Sequence, residues 1–250
     1  MEAWELGLTL VGSFVAGYLG SMLGLVLGTL RLPLIVLVTG SPLAAAGTNI
    51  AISAASAGAG GWKHAREGRV DWRVVRWTAP HSIAGAILGA LLANDVPEAL
   101  LYGLIAGVLV WSGIDLAFRP IAPLARDRLR VARGSGLAFA IGILGGAAGV
   151  ILGTLRMPAL VRSVGLDVRR AAGTNLVVGF LLGVAGFATY AAGTGVEWAV
   201  LAAGLAGAIP GGWLGARATG RLPENVLRLA LGAVLVLVGA VFAAQAIVLA

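Results

Sequence analysis

The chain has 250 residues, 59% hydrophobic and 12% charged, with a mean hydropathy of +0.95 and a formal net charge of +7. A soluble protein has too little interior to hide that much apolar surface, so the composition describes a polytopic membrane protein, and its basic excess reports orientation in the bilayer rather than nucleic-acid binding. Cysteine is absent, which excludes disulfides, thiolate metal sites and cysteine catalysis.

In chain order, the opening "MEAWELGL" carries acid where a secretory leader would carry base, and reads as mature sequence. An apolar segment over 6–40 is interrupted at Thr29-Leu30-Arg31-Leu32-Pro33, and spans over 43–61, 74–93 and 98–118 follow. A basic linker, 119–133, leads to a second interrupted segment, 136–165, broken at Thr154-Leu155-Arg156-Met157-Pro158; spans over 171–190, 196–216 and 224–249 complete the chain. Most of these approach the roughly 20 residues needed to cross a ~30 Å hydrocarbon core. The expected fold class is an all-α polytopic membrane protein.

The two halves, 1–118 and 134–250, resemble each other. "GLVLGTLRLPLIV" (Gly24–Val36) matches "GVILGTLRMPALV" (Gly149–Val161), "AAGTNI" (Ala45–Ile50) matches "AAGTNL" (Ala171–Leu176), and "VPEALL" (Val96–Leu101) matches "LPENVL" (Leu222–Leu227). So long a period indicates a duplicated half-transporter rather than a solenoid. The eighteen Lys and Arg residues set the topology. If each interrupted segment enters, turns and leaves on the same side, all of them except Arg31 and Arg156 fall on the cytoplasmic side, as the positive-inside tendency requires. Each half is then a re-entrant, broken-helix hairpin plus three crossings, which makes the halves inverted repeats and puts both termini outside. Residues 6–28 would be about 34 Å long as one helix, too long for a half-depth arm, so a tilt, a break near Gly17, Gly20 or Gly24, or a course partly along the interface is expected.

An arginine at mid-bilayer costs from about 3 to more than 10 kcal/mol. Two in matching places suggest a shared anionic partner, with Pro33 and Pro158 read as the first residues of half-helices whose free N–H groups face the tips. Gly28 and Gly153 would allow close backbone approach, and Thr29 and Thr154 would offer hydroxyls. The alternative is that each arginine binds carbonyls at a broken helix end and staples the fold. Thr48–Asn49 and Thr174–Asn175 either turn amides toward the site or cap helices. Gly17, Gly20, Gly24, Gly142, Gly145 and Gly149, and the pairs Gly85/Gly89 and Gly211/Gly215, read as helix-packing glycines. His81, following Pro80, is a candidate proton-linked switch or a packing histidine. No carboxylate falls in the middle of a span, and there is no histidine cluster, so the parts of an enzyme, a metal site or a cofactor site are missing from the pattern.

With an interrupted Gly-rich segment running into a Leu-Pro or Met-Pro turn, followed by Ala-Gly-Thr-Asn in each half, the chain resembles the sulfite exporter TauE/SafE family over nearly its whole length. Members of that family often carry consecutive glycines where this chain has "GLVLGT" and "GVILGT". The resemblance implies a transporter of sulfite, thiosulfate, sulfonates or other small anions, in a lipid bilayer, with the TLRLP, TLRMP and AGTN motifs lining the path. An anion channel or facilitator for carboxylates, and a non-transporting membrane scaffold, remain as alternatives. An Arg-, Ala- and Gly-rich composition with one lysine points to the plasma (inner) membrane of a GC-rich prokaryote.

Overall fold

The computed structural model describes residues 2–40, 42–92, 97–118, 131–147, 150–193, 196–219 and 223–249. Most of the basic linker (119–130) and parts of the loops at 94–98 and 193–197 lie outside them. Among the described residues every regular element is helical: α1 (Ala3–Leu23), α2 (Gly28–Thr39), α3 (Pro42–Arg66), α4 (Trp72–Leu92), α5 (Glu98–Phe118), α6 (Val131–Ala147), α7 (Gly153–Pro158) with a π-helical turn (Ala159–Val164), α8 (Val168–Gly193), α9 (Trp198–Thr219) and α10 (Glu224–Leu249). Four of these contain stretches long and apolar enough to cross a membrane, α1, α8, α9 and α10. Helices α3 and α4 have comparable lengths, 25 and 21 residues, but dilute their apolar residues with Thr48, Asn49, Ser53 and Ser56, or with Arg73, Arg76 and His81.

Burial along the first helix runs opposite to that of a helix in a soluble protein. On α1 the buried positions are Thr9, Ser13, Gly17, Gly20, Ser21 and, at its end, Leu23, whereas Leu8, Val11, Val15 and Leu19 face outward. Small and hydroxylated residues inside with branched apolar residues outside is the arrangement expected where lipid, not water, is the solvent. Loss of water cannot drive such helices together, so close backbone packing must, and the glycines provide it. A Cβ at Gly17 would stand 2.9 Å from the carbonyl of Ala208. One at Gly211 or Gly215 of α9 would strike the carbonyls of Phe14 or Tyr18 on α1, and one at Gly85 or Gly89 of α4 would strike those of Phe139 or Ile143 on α6.

The pairing of helices is unchanged when the halves are exchanged. Helix α1 packs on α9 and α6 on α4, α3 lies against α9 as α8 lies against α4, and α3 meets α8 as α5 meets α10. The first helix of each half therefore finds its main partner in the other half.

At the end of α3, the ion pair Lys63–Glu67 (2.9 Å) and the pair Arg69–Glu67 fold the connection to α4 back on itself. Burial pushes the Glu67 carboxyl up, but its hydrogen bond from Lys63 and the charge of Arg69 outweigh this and hold it below the usual carboxylate range.

Replacing Gly215 by Ala is expected to lower stability by about 1–3 kcal/mol, because the new methyl meets a carbonyl that cannot swing away. Gly7→Ala, where nothing lies within 4 Å, should leave the melting temperature in detergent unchanged or slightly raised. Equal melting temperatures for the two variants would contradict this packing account.

Candidate functional site

The chain breaks where glycine allows it. α1 ends at Gly24, whose φ of 70° is left-handed and whose N–H reaches the carbonyls of Gly20 and Ser21. A Cβ here would collide with Ala172 of the other half, so glycine is required twice over. Leu25 then turns back, donating its N–H to the Gly20 carbonyl at 2.6 Å; in the second half Val150 does the same to Gly145 at 3.0 Å. This is the role of Gly20 and Gly145: a Cβ on either would press on the carbonyl of the returning chain, at 2.8 and 2.7 Å. The irregular stretches lie in the core, with Leu25, Leu27, Ile151 and Leu152 almost fully enclosed. Protein, not lipid, therefore surrounds the unwound backbone.

These breaks precede the expected turns. Leu30 donates to Leu27, and Leu155 and Arg156 donate to Leu152, all at 3.2 Å, so the helices resume at Gly28 and Gly153. Arg31 and Arg156 are the fourth residues of these helices, and Pro33 and Pro158 the sixth, not the first. What initiates each helix is the glycine that leads it. Lacking an N–H, Pro158 cannot continue the α-helical ladder, and the chain widens into the π-helical turn that ends at Gly165, φ 93°.

Both guanidinium groups are buried, at 3% exposure for Arg31 and 2% for Arg156. Each is held by the asparagine of its own half's AGTN motif. Arg31 Nε and Nη2 donate to Asn49 Oδ1 at 3.1 and 3.0 Å, and Nη2 also donates to the Asn49 carbonyl at 3.2 Å and to Ser53 Oγ at 2.7 Å. Arg156 Nε donates to Asn175 Oδ1 at 2.7 Å and Nη2 to the Asn175 carbonyl at 3.3 Å. Asn175 Nδ2 in turn donates to the carbonyls of Gly24 (2.7 Å) and Gly153 (2.9 Å), so one amide ties its own tip to the break of the opposite half. Among the described residues neither buried arginine has a carboxylate partner within ion-pair distance. Arg156 Nη1 is enclosed with no hydrogen-bond partner there.

The structure thus brings Arg31 together with Asn49 and Gly28, and Arg156 together with Asn175 and Gly153; the side chains of Thr29 and Pro33 lie outside the described residues. Thr154 is buried, its hydroxyl without a partner among the described residues. The motif threonines serve elsewhere. Thr48 Oγ1 accepts the backbone N–H of Glu197 at 3.1 Å, and Thr174 Oγ1 that of Asp71 at 2.9 Å. Each hydroxyl thereby fixes the residue just before a helix of the opposite half, α9 or α4. His81 is exposed, its Nδ1 2.7 Å from the Trp77 carbonyl and away from both arginines' partners. The enclosed histidine is His64, whose Nε2 lies 3.5 Å from the Ser21 carbonyl. Ser53, Gly179, Asp71 and Glu197 escaped the motif reading. A helical step of four beyond the asparagines would have found the first two, and the matching "VDW" (Val70–Trp72) and "VEW" (Val196–Trp198) the others.

A family model described as sulfite exporter TauE/SafE matches residues 9–242. The probable membrane transporter protein YdhB of Bacillus subtilis (strain 168) is 29% identical over 194 residues, covering 75% of this chain and 79% of its own. Probable membrane transporter proteins of Xylella fastidiosa are similar too: that of strain 9a5c is 32% identical over 80% of each chain, and that of strain Temecula1 / ATCC 700964 is 31% identical over 84% of each. No solved structure matches. The family match runs through both broken segments, both buried arginines and both AGTN motifs, and the chain belongs to the TauE/SafE family of membrane transporters.

Proposed function

We propose that this transporter moves a small sulfur-containing anion, of the sulfite, thiosulfate or organosulfonate class, across the plasma membrane of a prokaryote, and that the anion binds near the midplane between the two arginine-bearing tips. The observation that carries this reading is a pair of buried arginines, one from each half, neither neutralised by a carboxylate among the described residues. Asparagine can orient a guanidinium but cannot cancel its charge, so each tip remains a fixed positive centre in a low-dielectric interior. The exchange of helix partners between the halves supports a duplicated architecture related by a two-fold, and an odd number of crossings in each half, as the charge distribution requires, would make it an inverted one. Inversion would present equivalent tips to the two faces of the membrane.

The printed names of the family and of its relatives agree with transport. A second reading has an observation of its own. The bonds from Arg31 and Arg156 to backbone carbonyls are what a structural staple would make, and a scaffold needs no more than that. The two readings part on flux and on what each side chain does for stability.

In liposomes containing the purified chain, sulfite, thiosulfate or a sulfonate should cross faster than through protein-free vesicles, with sulfate and acetate as comparison anions. Movement of none of them would leave the staple reading standing. Arg31→Ala and Arg156→Ala should each lower flux at least tenfold in protein that remains monodisperse in detergent, since a lost charge-assisted hydrogen bond is worth about 1.5–3 kcal/mol; flux at the wild-type rate in either variant would refute the anion site. Asn175→Ala should lower the melting temperature more than Asn49→Ala, because it also releases the carbonyls of Gly24 and Gly153. Thermal unfolding in detergent checks that order.

A further inference from the structure

Position by position the tips differ twice: Asn175 Nδ2 donates to the carbonyls of Gly24 and Gly153 whereas Asn49 Nδ2 is enclosed without an acceptor among the described residues, and the residue one helical step beyond the asparagine differs. Ser53 lies one helical step of four residues after Asn49 and accepts a 2.7 Å hydrogen bond from Arg31 Nη2. The position four residues after Asn175 is Gly179. A Cβ on Gly179 would stand 3.3 Å from Arg156 Nη2, so the edge of the guanidinium that Ser53 covers in the first half faces bare backbone in the second. Arg156 Nη2 is left with the Asn175 carbonyl at 3.3 Å. Its Nη1, fully enclosed, has no acceptor among the described residues.

An unmet buried donor costs about 1–3 kcal/mol, and more when it is charged. A guanidinium has five N–H groups in a fixed fork, and here the Nη1/Nη2 edge is the under-used part. The same added Cβ would stand 3.0 Å from Val26 Cγ2 and 3.5 Å from Ile151 Cγ2, one apolar side chain from each half's break. A charged edge in an apolar collar suits a compact group with two oxygens on one face, which takes both N–H groups at once. A spherical halide cannot bridge that edge as well.

We infer that the two tips are unequal, that an oxyanion is gripped in bidentate fashion by the Nη1/Nη2 edge of Arg156, and that the Ser53/Gly179 difference determines this by giving Arg31 Nη2 a side-chain acceptor and Arg156 Nη2 none. The inference rests on the anion reading above. Gly179 is then a specificity-determining position. A serine there would hand Arg156 the acceptor that the anion otherwise brings.

The test is calorimetric titration of sodium sulfite, and of sodium chloride, into the purified full-length chain in detergent. Sulfite binding by the wild type, with chloride weaker, tests the underlying reading; no binding of sulfite removes that reading and this inference together. Where the wild type binds, Gly179→Ala and Gly179→Ser carry the same added Cβ, and only the serine brings an oxygen. Gly179→Ser is expected to bind sulfite at least tenfold more weakly than Gly179→Ala. Equal affinities overturn the inference while leaving the anion site intact. Ser53→Gly, which uncovers Arg31 in the same way, should keep or tighten sulfite binding. A tenfold loss there overturns the inference, and this arm decides alone if the Gly179 variants do not fold.

Discussion

Everything at the centre of this molecule depends on a hydrogen-bonded pair made twice: a buried arginine held by the asparagine of an AGTN motif. A guanidinium in an apolar interior must be given acceptors, and a carboxylate would satisfy it by cancelling it. Asparagine does something different. Its carbonyl oxygens fix the plane of the guanidinium, from Nε and Nη2, while the net charge survives. The same amide reaches outward in the second half, where Asn175 also holds the carbonyls of Gly24 and Gly153 and thereby pins two unwound stretches at once. Charge, broken backbone and the contact between halves are thus handled by one residue type at one place.

The remaining architecture serves to keep that centre dry of lipid. Unwound backbone survives in a membrane only when protein surrounds it, and here the helices around the breaks approach one another to glycine distance. Backbone carbonyls of α1 and α6 lie where Cβ atoms would stand on α9 and α4. Such contacts tolerate no side chain, which explains the glycines along these seams. The outward faces carry Leu, Val, Ile and Trp, whose job is to dissolve in the bilayer rather than to pack.

Much of this was legible in the sequence, because apolar length and an internal repeat are strong signals. The stretches 43–61, 98–118 and 224–249 are helical, within α3, α5 and α10, and the duplicated TLRLP and TLRMP motifs pointed to the arginines that the structure buries. What misled was proline. Pro33 and Pro158 looked like helix starts, yet the glycines five residues earlier start the helices, since a left-handed turn at Gly24 and the return of the Leu25 N–H to the Gly20 carbonyl determine where the chain can resume. Thr48 and Thr174 were equally opaque. Their partners are backbone amides at Glu197 and Asp71, 149 and 103 residues away in the chain, and no local pattern encodes so distant a donor. His81 drew notice by following a proline, whereas His64, at the foot of a basic cluster, is the one enclosed.

The exchanged helix pairing bears on how such a chain is made. As it leaves the ribosome, α1 enters the bilayer with its groove of small residues open, and its mate α9 begins only at Trp198. Nearly the whole protein must be synthesised before that groove is filled. Until then the first half is a set of unmatched surfaces in lipid, and late translation, rather than early insertion, is the step at which the transporter becomes a single object.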